Sequence, residues 1–234
     1  MIQLSKRLRM NASLVTAGHR LADVGTDHGY IPIVLVQEGK IPSALAMDVN
    51  QGPLKRAEEH IKEYQLDSYI HIRLSDGVQN LQPQEADSVL IAGMGGALVI
   101  KILQEGKEVL QTVKELILQP QSEIEKVRHY LEDAGYCIVE EDMVLEDGKY
   151  YPVMKAKLGN MHYDREIEYL YGKILLDKKH PVLKDFLERK MDNSSKIMQK
   201  LKQDGKQEER MLKRMQELQD EMLLMQEALK RFEA

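Results

Sequence analysis

The sequence predicts an α/β fold: a mainly parallel sheet flanked by helices, followed by a C-terminal α-helical antiparallel coiled-coil hairpin. Three observations predict it. Five apolar runs of strand length alternate with helical stretches between Leu21 and Ala134, the order that builds parallel βαβ units. Two further strand-like runs flank Asp147-Gly148, a hairpin signal that lets an antiparallel pair close the sheet. Beyond Tyr163 the pattern is helical to the end. The expected units are residues 1–160 and 161–234, with Gly159–Tyr163 as the junction.

Residues 2–17 place Leu4, Leu8, Leu14 and Val15 at helical spacing with Lys6, Arg7 and Arg9 between them, an amphipathic helix whose basic side is expected to face water. The expected strands are Leu21–Val24, Ser43–Met47, Ile70–Leu74, Asp87–Ala92 and Glu115–Leu118. Tyr30–Glu38 and Gln51–Tyr64 read as helices, the second with Ala57, Ile61 and Tyr64 on one face. Gly96–Leu110 reads as a helix with Leu98, Ile102 and Leu103 inward. Ser122–Ala134 reads as another, with Ser122 as N-cap and Glu125 completing a capping box. Tyr136–Glu146 and Tyr150–Leu158 are the hairpin strands. Asp164–Leu176 is expected as one short helix. Residues 183–203 then carry Leu187, Met191, Ser194, Met198 and Leu201, and residues 206–232 carry Met211, Met215, Leu218, Met222, Met225, Leu229 and Phe232. Both sets are spaced four and three apart, a heptad seam, with Asp204-Gly205 as the turn between. A self-contained hairpin accounts for this seam and implies a monomer; a dimerising or binding arm is the rival reading.

Composition narrows the class. The chain has 234 residues, 43% of them hydrophobic and 30% charged, enough for a core and consistent with long exposed helices. A net charge of -5 gives no global signal for nucleic acid or membrane. Residues 1–158 hold 17 Lys+Arg against 23 Asp+Glu, and residues 159–234 hold 16 against 15, so the two parts differ in kind. Cys137 is the single cysteine, which leaves no internal disulfide and suits a reducing cytoplasm. No signal peptide and no apolar run approaching the ~20 residues of a membrane span are present, so a cytoplasmic location is expected. The seven histidines show no ligand spacing, no metal site is expected, and no Gly-x-Ser-x-Gly supports hydrolase chemistry.

Residues 20–30 organise the functional reading. The first strand runs into Gly25-Thr26-Asp27-His28-Gly29 and a second apolar run starts at Tyr30. Glycines after the first strand of an open sheet let a nucleotide-like ligand approach the backbone. Asp23 and Asp27 flank Gly25, and no lysine lies in the loop. Two acids disfavour a polyphosphate and favour a cation, and both the G-x-G-x-x-G and Walker patterns fail. S-adenosyl-L-methionine, a nucleoside with sulfonium and ammonium groups, fits this chemistry. An ordinary strand-to-helix turn with surface acids is the competing reading. Asp48 ends the second strand 23 residues after Gly25, where α/β nucleotide folds bind ribose hydroxyls. Ser75-Asp76-Gly77 follows the third strand, where Asp76 can accept from an adenine amino group and Gly77 lets the ring approach. Gly93-Met94-Gly95-Gly96 ends the fourth, a cluster that suggests backbone touching something flat, with Met94 able to pack on a base, on the methionine tail of the cofactor or in the core. Gln119 and Gln121 end the fifth, with amides able to read a base edge.

These stretches together resemble the Rossmann-like class I methyltransferases. The resemblance sharpens with Leu4-Ser5-Lys6-Arg7-Leu8, Asp23-Val24-Gly25-Thr26-Asp27-His28-Gly29-Tyr30, Ile91-Ala92-Gly93-Met94-Gly95-Gly96, Leu118-Gln119-Pro120 and Glu146-Asp147-Gly148-Lys149-Tyr150-Tyr151. With the C-terminal hairpin, the whole chain is similar to the bacterial TrmK family. Gly29 stands where that family's pattern has a small residue such as alanine, and Gln121 where it has asparagine. The resemblance implies a methyltransferase domain over 1–160 and transfer of a methyl group from S-adenosyl-L-methionine to N1 of adenosine 22 in tRNA. It implies a tRNA partner, no membrane and no metal. On this reading Asp27 and His28 lie beside the methyl, Gly93–Gly96 and Gln121 hold the base, and Arg7 contacts RNA phosphate or the target nucleotide. It assigns the cofactor to Asp23, Gly25, Asp27, Tyr30, Asp48, Asp76, Gly77, Gly93, Met94 and Gly95. Phosphate contacts are expected from Lys6, Arg7, Arg9 and the basic positions of the arm between Lys178 and Lys200. The rival functions are a methyltransferase for a small molecule or another RNA, and a non-catalytic nucleotide-binding scaffold.

Overall fold

The computed structural model describes residues 2–203 and 209–233. The chain forms two compact units, Met1–His162 and Tyr163–Ala234.

The first unit opens with α1 (Lys6–Leu14), whose N-cap Ser5 accepts from the Leu8 amide. Five βα-type strands follow: β1 (Leu21–Val24), β2 (Ala44–Asp48), β3 (Ile70–Leu74), β4 (Ser88–Met94) and β5 (Glu115–Pro120). Between them run α2 (Tyr30–Gln37), α3 (Gln51–Glu63), α4 (Gly96–Glu105) and α5 (Lys107–Leu110), and after β5 comes α6 (Ile124–Asp133). The hairpin strands β6 (Tyr136–Glu146) and β7 (Lys149–Leu158) complete one seven-stranded sheet of order β3-β2-β1-β4-β5-β7-β6. The first five are parallel; β7 lies antiparallel between β5 and β6. β1 and β5 are buried along their whole length, so their apolar residues do not alternate with exposed polar ones, and their polar members Asp23, Glu115 and Gln119 are buried too. Asp147 and Gly148 take φ of 48° and 74°, the paired positive angles of a tight hairpin turn.

Four expectations are corrected. The run Gly96–Leu110 is two helices: α4 ends at its C-cap Gly106, a position that packing holds for glycine because a Cβ there would strike Val78 and the Ile102 carbonyl. Leu98 is 43% exposed and Val99 is the buried neighbour. Ser122 does not cap α6; its carbonyl instead accepts from the Gly96 amide at 3.0 Å, and the cap position is Glu123, at φ 50° without a side-chain cap bond. The fourth concerns the second unit, where Asp164–Leu176 divides at Gly172 (φ 90°) into α7 (Glu166–Tyr171) and α8 (Lys173–Asp177).

The second unit ends in α9 (Pro181–Gln203) and α10 (Glu209–Glu233). Pro181 sits in the first turn, where its missing N–H costs nothing. Leu187, Ser194, Leu218 and Met225 are buried along the expected seam, and Lys190 pairs with Glu221 across the two helices at 4.0 Å. The expected turn Asp204-Gly205 lies outside the described residues.

Three buried polar groups tie the first unit together. Glu115, at the start of β5, accepts from the Thr16 amide (2.9 Å), the Thr16 hydroxyl (2.7 Å) and the Ser88 hydroxyl (2.7 Å). Burial pushes its carboxyl up, but these bonds and Lys155 outweigh it and hold it below its ordinary value. Arg128 of α6 donates to Glu141 of β6 at 3.0 Å, with both side chains essentially inaccessible. Deleting one member of such a pair strands a buried charge, at a cost of about 3–5 kcal/mol. Arg128→Ala is therefore expected to lower the unfolding free energy by that order, seen as a lower denaturant midpoint, whereas Arg128→Met with Glu141→Leu recovers most of the loss. Equal midpoints for wild type and Arg128→Ala would contradict this.

Candidate active site

The sheet order reverses between β1 and β4: β2 and β3 extend to one side, β5 and the hairpin to the other. Loops that leave the paired ends of β1 and β4 must diverge, and the crevice between them is where open α/β sheets bind ligands. Both glycine-bearing loops lie here, since Val24 pairs with Ile91.

The β1–α2 loop is held from beneath. The Gly25 and Thr26 amides donate to the Met47 carbonyl of β2 at 2.8 and 2.9 Å. Gly25 has φ 76°, and the Met94 methyl fills the space a Cβ would need. Asp23 is 7% exposed and accepts from the Thr26 hydroxyl at 2.7 Å. Burial pushes its carboxyl up to about 6; the Thr26 bond opposes the shift and the nearby Asp48 charge adds to it. Asp27 is open to solvent, accepts from Arg56 of α3 at 2.9 Å and lies 3.4 Å from His28 Nε2. His28 occupies the left-handed region at φ 64°, a conformation that costs a non-glycine residue about 1 kcal/mol or more. Its Nδ1 is buried without a hydrogen-bond partner. The rings of His28, Tyr30 and His60 cluster with centroids 5.0–5.3 Å apart.

Opposite, the β4–β5 register shifts between Ala92 and Met94, a bulge at Gly93 (φ 81°). Bulges of this kind re-aim a strand end. A Cβ on Gly93 would meet Arg7 Nη1 at 3.5 Å and Gln121 Nε2 at 3.7 Å, so the bulge opens backbone toward those two side chains. Arg7 donates to Gln119, a buried amide, at 3.2 Å and lies 5.3 Å from the centroid of the Tyr151 ring. Its helix is pinned by Glu146 of β6, which accepts from the Lys6 and Arg7 amides at 2.6 and 3.4 Å. The expected water-facing role holds for Lys6 and Arg9, the latter paired with Glu38, but Arg7 is half-buried and turned inward.

A cavity of about 400 Å³ collects Arg7, Asp23, Gly25, Asp27, His28, Tyr30, Gly93 and Gln121. Thr26, Leu8, Ile31 and Ala92 also line it. Asp48, Asp76, Gly77, Met94 and Gly95 lie outside it. Asp48 accepts from the Asn50 amide at 2.7 Å and shares its field with Asp23. Asp76 is exposed. Gly77 has a packing reason independent of any ligand, since Ile102 occupies its Cβ space. Arg56 and His60 were not foreseen: one helical turn apart among charged residues, they look like a solvated face. Among the described residues no group of three or more His, Cys, Asp or Glu could hold a metal, and no helix is long and apolar enough to cross a membrane. The chemistry of the cavity suits a cationic nucleoside: a buried carboxylate that costs energy while unpaired, a glycine-lined backbone and no lysine.

Comparison with known proteins agrees with this chemistry. Residues 4–154 match the family described as a methyltransferase domain. The chain is 33% identical to the tRNA (adenine(22)-N(1))-methyltransferase of Bacillus subtilis (strain 168), over 97% of this chain and 98% of that protein. The crystal structure of the B. subtilis M1A22 tRNA methyltransferase TrmK superposes with a TM-score of 0.86 at 31% identity, covering 98% of this chain and all of the other. The M. capricolum TrmK structure, in complex with the cofactor product S-adenosyl-homocysteine, gives 0.85 at 26% identity over 99% of this chain and all of the other. On its sequence, its sheet order and these relatives, the chain belongs to the TrmK family of tRNA (adenine(22)-N(1))-methyltransferases.

Proposed function

We propose that this protein methylates N1 of adenosine 22 in tRNA, using S-adenosyl-L-methionine, as a cytoplasmic monomer. One observation carries the reading: in a chain of this family, a buried acid, two glycine-bearing strand ends, Arg7 and Gln121 converge on one cavity. The cofactor supplies an electrophilic methyl on a sulfonium. Asp23, Gly25 and Gly93 would hold it, with Asp48, Asp76, Gly77, Met94 and Gly95 bordering the same strand ends. Adenine N1 carries its own lone pair, so the site needs no strong base and contributes chiefly by positioning. N1 lies on the Watson–Crick edge, so the nucleotide leaves its pair or stack to react. Gln121 and Arg7, flanking Gly93, orient the base or its phosphate. His28 and Tyr30 wall the pocket, and Asp27 offsets the positive charge that arrives on the adenine. Lys6, Arg9 and the basic side of α9 take the tRNA backbone, which requires local rather than global positive charge.

The direct test is transfer of labelled methyl to unmodified tRNA, followed by mapping of the modified nucleoside. N1-methyladenosine at position 22 is expected; incorporation elsewhere, or only into small molecules, would refute the reading. Asp27→Ala is expected to abolish turnover while its thermal melt matches wild type, and full activity of that variant would remove Asp27 from the mechanism.

Asp23 gives a pH-dependent prediction. Its folded-state pKa is about 6 against an ordinary 3.8, so the folded chain binds the proton more tightly than the unfolded one. The stabilisation from neutral Asp23 is full below pH ~4 and is lost as pH rises through ~6. Asp23→Asn escapes that loss. Without cofactor it should be more stable than wild type at pH 7.5 by on the order of 2–3 kcal/mol, nearly equal at pH 4, and weaker in binding S-adenosyl-L-methionine. Paired melts at the two pH values and a calorimetric titration check this, and a variant less stable than wild type at pH 7.5 would contradict it.

A further inference from the structure

We propose that His60 and Arg56 of α3 are positioning residues for methyl transfer, bracing the Asp27-His28 segment from behind. The inference rests on the methyl-transfer reading above and goes beyond it, since neither residue lines the cavity. Four observations converge. His60 Nδ1 donates to the His28 carbonyl at 3.0 Å. The His60 ring lies against both His28 and Tyr30, at 5.3 and 5.2 Å and interplanar angles of 26° and 28°. Arg56, one helical turn earlier, donates to Asp27 at 2.9 Å. The segment so held is one that needs holding, because His28 sits at φ 64° while its Nδ1 lacks a partner.

The brace acts on a limited stretch. Gly25 and Thr26 have their own anchors on the Met47 carbonyl, and Thr26 holds Asp23. Loss of His60 would therefore release His28 and the Tyr30 ring, leaving Asp27 held only by Arg56, while the buried acid and the first glycine stay in place. Arg56 adds an electrostatic element. It fixes the direction of a solvent-exposed carboxylate that would otherwise sample several rotamers, and His28 Nε2 lies on the same Asp27 oxygen at 3.4 Å. The helix spacing i, i+4 lets one rigid element fix both residues of the loop at once.

The test uses the full chain carrying His60→Ala, His60→Phe, His60→Gln or Arg56→Ala. Turnover on unmodified tRNA, KM for tRNA, cofactor affinity and hydrogen exchange of amides 27–30 are measured well below the melting temperature. His60→Ala is expected to lower kcat about 10- to 100-fold, the range a misplaced site produces. KM and cofactor affinity should change about threefold or less. His60→Gln, which keeps a donor, should recover part of the loss. His60→Phe, which keeps a ring, should recover less, and Arg56→Ala should lose roughly three- to tenfold in kcat. Exchange at 27–30 should accelerate in His60→Ala. Wild-type kcat in the His60 variants, or losses that track cofactor affinity or thermal stability, would overturn the proposal. If wild type fails to methylate tRNA, the functional reading falls by itself. Faster exchange in His60→Ala would then still support the brace, and unchanged exchange would refute it.

Discussion

Parallel pairing of β1 with both β2 and β4 is the constraint from which the site follows. Two neighbouring strand ends deliver their loops to the same edge of the sheet, while the next elements leave for opposite sides. The crevice between them exists because the chain cannot fill it without reversing direction. Glycine is needed on both sides for different reasons. At Gly25 the partner strand's Met94 has taken the side-chain space. At Gly93 a register shift turns backbone toward Arg7 and Gln121. The first is a packing requirement and the second an opening, and together they shape the cavity between them.

Stability and binding oppose one another in this crevice. Asp23 is buried with one hydroxyl donor and a second acid in its field, an arrangement that penalises the charged form. His28 adds a sparsely populated backbone conformation. A fold selected only for stability would carry an asparagine and a glycine at these positions. Keeping an acid there makes sense if a cation completes it, because the ligand's charge then recovers what folding gave up. The contrast with Arg128 and Glu141 is instructive. That pair is buried too, but each charge has its partner within the protein, so it stabilises the assembled state and has nothing left to offer a ligand.

Strands β1, β2, β4 and β5 were legible because burial leaves short, mostly apolar runs, and the Asp-Gly turn was legible because its residue types match the positive angles it needs. Helix ends were less so. Gly106 and Gly172 interrupt helical periodicity, the first for a packing reason that lies in distant residues. Ser122 had the right composition for a cap, but the helix starts one residue later, with Glu123 in the cap position at φ 50°. Within the cavity, residues with an unusual local pattern were readable: Asp23, Gly25, Asp27 and Gly93 stand out against any ordinary turn. Arg56 and His60 could not be read this way. Their roles depend on where α3 lies against the loop, and a charged helix face looks the same whether it meets water or a neighbour. Gly77 carries a reason that its strand-end position did not show, since Ile102 occupies its Cβ space.

Arg7 shows how far the site depends on the completed sheet. Its guanidinium is placed by Gln119 and Tyr151, and its helix by Glu146, a contact spanning 140 residues from Lys6. Tyr151 and Glu146 reach it only when β7 has inserted beside β5 and carried β6 with it. At the other end of α1, Thr16 is fixed by Glu115 at the start of β5. The half of the crevice proposed to hold the cofactor, at the ends of β1 and β4, makes none of these contacts. Arg7, the residue proposed to meet the substrate, needs all of them. Pairings between residues so far apart in the chain carry the loop-closure entropy of the segment between them. The side of the crevice around Asp23 and Gly25 thus draws on contacts among β1, β2 and β4, and the side around Arg7 draws on the completed sheet.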